Sequence, residues 1–391
     1  MSDHLTSLPF DLFEMIVRLA QSNPHTKLLY VSKAFLPFVR PLVFRETIID
    51  SYKKLSTFLE LVDLNKAIVP YVVTLEIKLE GHPDVGVPKN KVLKTGFAQL
   101  VSTSRVKLEG SSRIAKLLLA PSHDRSLQSM CSLGIQDSLD GFRNPLDPSH
   151  YRWLERYNRL LYFELDITRN INETGRRRGS SSNASELTNC RISSLTLRAP
   201  CINNPCLLDF ISLFPNVTHF SILERTDDGT SCLLPILSQI ATPENTTYLG
   251  LESFAEADRP EDLSSVLPRF KNFSYLDFGP GTLHNNSFDL LNHTTFPRLE
   301  ILYFSHGADV SSKQLESLIT GDKKLSNLRY VCVDSTKPPT EEMEEMVELA
   351  DRKGIRLEGD AVELARLEIE SRKKDVRGRS DWERKMENLR I

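Results

Sequence analysis

Residues 273–278 read FSYLDF, residues 299–304 read LEILYF and residues 328–333 read LRYVCV. In each stretch the first, fourth and sixth residues are apolar. In an extended segment the fourth and sixth side chains point to the same side, so each stretch is typical of a short strand with one buried face. A strand that recurs in this way predicts a repeated architecture, in which neighbouring units bury one continuous core.

The pattern recurs along most of the chain, and from Phe163 onward successive copies are 24 to 32 residues apart. The fourth residue of the copies falls at Leu75, Leu117, Phe163, Leu195, Phe220, Leu249, Leu276, Leu302 and Val331. Weaker copies centre on Ile48 and Ile355, and helix-like stretches such as 312–319 and 341–353 separate the copies. The spacing resembles that of leucine-rich repeats. This resemblance implies an α/β solenoid with a parallel strand face.

The array is irregular in its first half. The two gaps before Phe163 span 42 and 46 residues, which predicts insertions near 81–113 and 120–158. A third insertion is expected near 170–190, where the chain is basic and rich in serine. The Asn or Cys that follows the strand in leucine-rich repeats is absent, so another α/β protein with a parallel sheet is the alternative.

The N-terminal segment carries a second pattern, LPFDLFEMIVRLA from Leu8 and KLLYVSKAF from Lys27. Leu8, Leu12 and Ile16 share one face of a helix, and Pro9 suits its first turn. The segment resembles an F-box, which implies three short helices that dock on a Skp-type adaptor. The residues that this resemblance assigns to the contact are Leu8, Pro9, Leu12, Ile16, Leu28, Val31 and Phe35. A plain three-helix cap of the larger domain is the alternative.

These patterns predict three parts: an F-box at 1–46, a leucine-rich-repeat-like solenoid at 47–360, and a charged C-terminal helix or tail at 361–391. The expected fold class is α/β. A short N-terminal three-helix F-box is followed by a leucine-rich-repeat-like solenoid with a parallel strand face.

The residues that flank each central apolar position should point away from the core. The row directly before the centre runs Thr74, Lys116, Tyr162, Ser194, His219, Tyr248, Tyr275, Ile301 and Tyr330. Tyrosine offers a broad contact area and is enriched where partners dock, although it also simply favours strands. The candidate substrate-binding residues on this face are Tyr162, His219, Tyr248, Tyr275, Tyr303, Tyr330, Glu252 and Asp277. The acids among them favour a partner of basic or polar-aromatic character.

Composition excludes several classes of protein. A formal net charge of −3 argues against binding driven by nucleic-acid phosphates. The longest uncharged stretch, 229–243, is too short and too polar to cross a membrane. Six scattered cysteines favour free thiols in the cytoplasm or nucleus. No catalytic, phosphate-binding or zinc motif occurs, so we expect a non-catalytic protein without a cofactor or metal.

An F-box followed by leucine-rich-like repeats resembles the substrate-receptor subunits of Skp–cullin–F-box ubiquitin ligases. The resemblance implies partners at both ends: a Skp-type adaptor and, through it, a cullin at the F-box, and an unidentified protein substrate at the repeats. Two alternatives are an F-box scaffold that acts outside the ligase, and a plain leucine-rich-repeat interaction module.

Overall fold

The computed structural model describes residues 36–79, 88–119, 127–136, 146–167, 190–200, 205–225, 233–253, 262–279, 282, 285–305, 310–321, 324–334, 341–360 and 362–374. Of the predicted N-terminal three-helix module, these ranges include only its last part, where α1 covers Leu36–Arg45.

Within each unit the described strands follow one another as neighbours in a sheet, in the order of the chain. They are β1 Glu46–Ile49, β2 Thr74–Lys78, β3 Arg105–Glu109, β4 Ser132–Gln136, β5 Tyr162–Asp166, β6 Ser194–Pro200, β7 His219–Arg225, β8 Tyr248–Ser253, β9 Tyr275–Phe278, β10 Ile301–Phe304, β11 Tyr330–Val333 and β12 Arg356–Glu358. The pairings with a defined register are all parallel. A sheet of consecutive parallel strands requires a crossover after every strand, which is the arrangement expected of a strand-and-helix repeat.

Helices and short turns form the crossovers. The α-helices after α1 are α2 Tyr52–Leu64, α3 Asn90–Gln99, α4 Ser112–Leu119, α5 Pro205–Ile211, α6 Leu233–Ser238, α7 Asn285–Asp289, α8 Ser312–Ile319 and α9 Glu341–Lys353. Short 3-10 helices cover Lys66–Tyr71, Pro148–His150, Arg152–Arg156, Pro243–Asn245 and Leu267–Arg269. Residues 362–374 are also helical. None of the described helices is long and apolar enough to cross a bilayer.

Local chemistry sets several of these boundaries. Ser51 caps α2 by accepting a hydrogen bond from the backbone N–H of Lys54, and Ser311 and Gln314 form a capping box at the start of α8. Gly354 follows α9 with a φ of 70°. Glycine adopts this left-handed conformation without the steric cost that other residues meet there.

The chain divides into two compact units, residues 1–195 and 196–391, which we call unit 1 and unit 2. In each unit the central strand residues lie side by side in register and are at most 2% exposed. In unit 1 they are Leu75, Val106, Leu133 and Phe163. In unit 2 they are Phe220, Leu249, Leu276, Leu302, Val331 and Leu357. The alternating apolar pattern therefore identifies the buried side of the sheet.

The predicted strand centred on Leu117 is wrong, because Leu117 lies in α4 together with Lys116. The segments where insertions were expected, 81–113 and 120–158, contain β3 and β4 instead. The pattern fails at β3 because its first position is Thr103, a buried residue whose hydroxyl donates to the carbonyl of Val72 at 2.9 Å. β4 keeps the full pattern, with Met130, Leu133 and Ile135 buried at its first, fourth and sixth positions, so this strand could have been predicted from sequence.

The two weak copies are out of register. Thr47, not Ile48, lies opposite Leu75, and Ile48 is 62% exposed. At the other end of the chain, Leu357 rather than Ile355 lies opposite Val331. At β1 the error is one residue, which moves Ile48 to the opposite face because side chains alternate across a strand. At β12 the error is two residues, and Ile355 and Leu357 are both buried.

Candidate partner-binding face

The outward side chains of unit 2 form two rows that cross the strands. The first row, in register, is His219, Tyr248, Tyr275, Ile301, Tyr330 and Arg356. The second row is Ser221, Gly250, Asp277, Tyr303, Cys332 and Glu358. We call these rows, together with Glu252, Ser305 and Asp334 at the carboxyl ends of the strands, the tyrosine face. Its tyrosines are half-buried, so each leaves part of its ring open to a partner.

Three rings of the first row stack on one another. The centroids of Tyr248 and Tyr275 are 4.5 Å apart with an interplanar angle of 29°, and those of His219 and Tyr248 are 6.0 Å apart at 18°. Neighbouring strands lie about 4.8 Å apart, so aromatic residues in the same register are held at stacking distance. The backbone therefore orients these rings in advance of any binding event.

Two glycines make room for side chains of this face. A Cβ atom on Gly250 would lie 3.1 Å from the Tyr248 hydroxyl and 3.2 Å from the Ser221 hydroxyl. A Cβ atom on Gly279 would lie 2.2 Å from Cγ of Glu252. A larger residue at either position would have to displace Tyr248 or Glu252, so both glycines contribute to the shape of the face.

Hydrogen bonds hold the other two tyrosines. The Tyr303 hydroxyl donates to Oδ2 of Asp334 at 2.5 Å, and the Tyr330 hydroxyl donates to Oε2 of Glu358 at 2.7 Å. The hydrogen bond to Asp334 raises the pKa of Tyr303. Burial, together with the hydrogen bond to Glu358, raises the pKa of Tyr330. Both phenols therefore remain neutral donors at physiological pH.

A cationic side chain, Arg356, lies on β12, the last strand of the face. Nε of Arg356 donates to Oε1 of Glu358 at 2.6 Å, and the Arg356 guanidinium lies 5.9 Å from the centroid of the Tyr330 ring. Hydrogen bonds from Tyr330 and then from Arg356 lower the pKa of Glu358. One tyrosine ring and one carboxylate thus hold a single cation.

Carboxylates gather towards the middle of the face. Burial, with a smaller contribution from the nearby carboxylates of Glu252 and Asp334, raises the pKa of Asp277 to about 6, against a hydrogen bond from the Ser305 hydroxyl at 3.2 Å. Burial and the carboxylate of Asp277 raise the pKa of Tyr248 to about 12. These shifts describe a region of concentrated negative charge.

The structure brings together most of the residues predicted from sequence. His219, Tyr248, Tyr275, Tyr303 and Tyr330 share the tyrosine face with Glu252 and Asp277. Tyr162 lies on β5 in unit 1, where it is 54% exposed. The predicted adaptor-binding residues, Leu8, Pro9, Leu12, Ile16, Leu28, Val31 and Phe35, lie outside the described residues.

The sequence pattern did not predict that Arg356 and Glu358 belong to the face, because it centred the last strand on Ile355. The correct register brings Arg356 beside Tyr330 and Glu358 beside Cys332. The alternation of Arg356, Leu357 and Glu358, with a buried residue between two charged ones, is the signal that identifies the strand. Cys332 was also missed. Burial raises the pKa of its thiol to about 11, so it is un-ionised at neutral pH.

In the described ranges, His, Cys, Asp and Glu side chains do not form any group of three or more that could hold a metal ion. Comparison with known proteins finds no family model that matches this chain and no curated protein with significant sequence similarity to it.

Proposed function

We propose that this protein is the substrate-recognition subunit of a Skp–cullin–F-box type ubiquitin ligase and carries out no bond chemistry itself. The observation that carries the proposal is the tyrosine face. Its tyrosines lie on neighbouring strands of a parallel sheet and point outward, and ring stacking or hydrogen bonds already fix their positions. The function that this geometry supports best is binding of a protein partner.

Physical chemistry favours such a face as a docking surface. Interface residues that carry most of the binding energy are enriched in tyrosine and arginine. Tyrosine suits this role because its large and stiff side chain buries much area for little lost rotamer freedom. Here the stack of Tyr248 on Tyr275 and the hydrogen bonds of Tyr303 and Tyr330 restrict those rotamers further. A rigid surface loses less conformational entropy when it binds.

The ligase part of the proposal is supported by sequence resemblance alone, through the F-box-like segment from Leu8 to Arg45. In this proposal the N-terminal helices dock on a Skp-type adaptor that is bound to a cullin, and the tyrosine face holds the target. Holding the target raises the effective concentration of its lysines near the conjugating enzyme. The function requires neither a catalytic residue nor a cofactor on this chain.

Affinity purification of the full-length chain, followed by mass spectrometry, tests the proposal. The wild-type chain is expected to recover a Skp-type adaptor, a cullin and a target protein. Leu8→Ala combined with Pro9→Ala should remove the adaptor and the cullin, because loss of two anchor side chains from a small interface commonly costs a few hundredfold in affinity. Target binding should persist, because the substituted residues lie in the N-terminal segment and not on the tyrosine face. Unchanged recovery of the adaptor by the double variant would refute the F-box assignment.

Two other functions predict different results in the same experiment. A scaffold that acts outside the ligase would recover the adaptor without a cullin. A plain leucine-rich-repeat module would recover neither, and deletion of residues 1–46 would unfold it if those residues merely cap the repeats.

A further inference from the structure

We infer that the tyrosine face binds a basic segment of the target, an extended stretch that contains at least two arginine or lysine residues. This inference rests on the proposed function, because it names the class of partner that the same face would recognise. It is drawn from the charge and the aromatic groups of the face.

The charge of the face is strongly one-sided. Four carboxylates belong to it, on Glu252, Asp277, Asp334 and Glu358. Among the described residues that define the face, the one lysine or arginine is Arg356, and it is already engaged with Glu358. These four carboxylates and one guanidinium together carry a formal charge of −3. Charge complementarity therefore favours a cationic partner and disfavours an acidic one.

Arg356 shows how this face holds a cation. Its guanidinium lies 5.9 Å from the centroid of the Tyr330 ring and donates to the carboxylate of Glu358. An aromatic ring and a carboxylate that meet at one guanidinium combine a cation–π contact with a charge-assisted hydrogen bond. The face therefore already binds one guanidinium, that of its own Arg356, through both kinds of contact.

The same elements recur on β8 and β9, without a cation from these strands. The Tyr248 and Tyr275 rings are stacked, and Asp277 is close enough to both phenols to raise their pKa values. Glu252 lies over Gly279, on the same part of the face. Neither β8 nor β9 contains lysine or arginine. An arginine of the partner can therefore contact these rings and carboxylates in the way that Arg356 contacts the Tyr330 ring and Glu358.

The groups that face Asp277 come from four neighbouring strands. They are Tyr248 and Glu252 on β8, Tyr275 on its own strand, Tyr303 on β10, Ser305 after β10 and Asp334 after β11. Burial and the two carboxylates raise the pKa of Asp277 to about 6. A bound cation would favour the ionised form and lower this pKa. Binding should therefore weaken as the pH falls through about 6 and Asp277 becomes neutral.

The dimensions of the face suit a short extended segment. From β8 to β11 there are three strand steps, about 14 Å in all, which about four extended residues can span. Asp277 and Asp334 are separated by two strand steps across the sheet, about 10 Å, and by two residues along the strands, about 7 Å, or about 12 Å in all. Two basic residues about three positions apart therefore match the two carboxylates.

Fluorescence anisotropy with the full-length chain tests the inference. One probe is a labelled nine-residue peptide of glycine and serine that contains two arginines three positions apart, and its match has glutamine in place of both arginines. We expect the arginine peptide to bind about tenfold more tightly at low salt, a factor within the range of desolvated cation–π contacts and ion pairs. The difference should shrink between pH 7 and pH 5. Equal binding of the two peptides by the wild-type chain would overturn the inference, and this comparison needs no variant.

Matched variants locate the site. Asp277→Asn with Glu252→Gln should weaken binding of the arginine peptide about tenfold. Glu316→Gln with Glu345→Gln removes the same number of carboxylates from exposed positions on α8 and α9 and should change binding less than twofold. An equal loss in both would show general attraction by net charge and would overturn the assignment to this face. Thermal unfolding confirms that each variant is folded.

The outcomes separate this inference from the proposed function. If affinity purification recovers an adaptor and a target but the two peptides bind equally, only the basic class of target is refuted. If the arginine peptide binds the face but no adaptor is recovered, the ligase proposal fails and the binding site stands.

Discussion

The outward faces of unit 1 and unit 2 are built on the same backbone pattern but carry different side chains. In unit 1 the positions that match the tyrosine rows hold mainly short polar or charged residues, and Glu76 pairs there with Lys78 at 3.3 Å and with Lys107 at 3.6 Å. In unit 2 the same positions hold stacked rings and tyrosine–carboxylate hydrogen bonds. Beneath both faces the central residues are buried aliphatic or phenylalanine side chains. The buried side of the strands is thus uniform, whereas the outward side differs between the units.

This difference indicates where function resides. Ion pairs of half-exposed lysines contribute little, because water and salt screen them and long side chains lose rotamer freedom. Stiff aromatic side chains supply more binding energy for each side chain that becomes ordered. The proposed target-binding site therefore lies in unit 2, and three experiments test the contrast between the two outward faces.

The largest effect is expected from replacing Tyr248, Tyr275 and Tyr330 together by alanine. Loss of three aromatic anchors should weaken target capture by a few hundredfold or more, as measured by pull-down against the wild-type chain. Stability should fall by about 2–5 kcal/mol, since two ring-stacking contacts, one tyrosine–carboxylate hydrogen bond and the contact of Arg356 with the Tyr330 ring are lost.

The matched control lies in unit 1, where Thr74, Arg105 and Ser132 occupy the equivalent row. Their replacement by alanine should leave target capture within about twofold, because exposed positions away from an interface change binding little. A similar loss in both triple variants would extend the binding surface into unit 1 and remove the contrast between the faces.

A second experiment tests which side chains of β9 point into the core and which point outward. Leu276→Ala should lower the free energy of unfolding by about 2–5 kcal/mol, because Leu276 is completely buried. Its neighbour Tyr275 is half-buried, and Tyr275→Ala should cost about 1 kcal/mol. Chemical denaturation measures both values. If the tyrosine variant were the less stable one, the outward assignment of the row would be wrong.

The smallest effects are expected for the interaction energies between two neighbouring side chains, measured for one pair on the outward face of each unit. A double-mutant cycle on Tyr248 and Tyr275 should give a coupling of about 0.5–1.5 kcal/mol that salt hardly changes. The same cycle on Glu76 and Lys107 should give about 0.2–1 kcal/mol and should decline in high salt. If both couplings depended equally on salt, the aromatic contact would not explain the difference between the faces.

Much of the repeat could be predicted from sequence, because burial leaves a direct trace in the alternation of apolar residues. The strands at Leu249, Leu276, Leu302 and Val331 are present as expected, and the row before them faces outward. The pattern failed where a polar residue fills a core position, as Thr103 does through its hydrogen bond to Val72. It also failed at Leu117, since three apolar residues at these spacings fit a helix as well as a strand.

By itself, the sequence determined the α/β class, the parallel strand repeat and the outward position of the tyrosines. These depend on local alternation and on the distance along the chain from one strand to the next. Only the tertiary structure decided which outward residues meet, because register between strands is set by packing across the sheet. The pairing of Tyr330 with Glu358, of Tyr303 with Asp334, and of Arg356 with the Tyr330 ring joins residues 26 to 31 positions apart. No periodicity along a single strand contains that information.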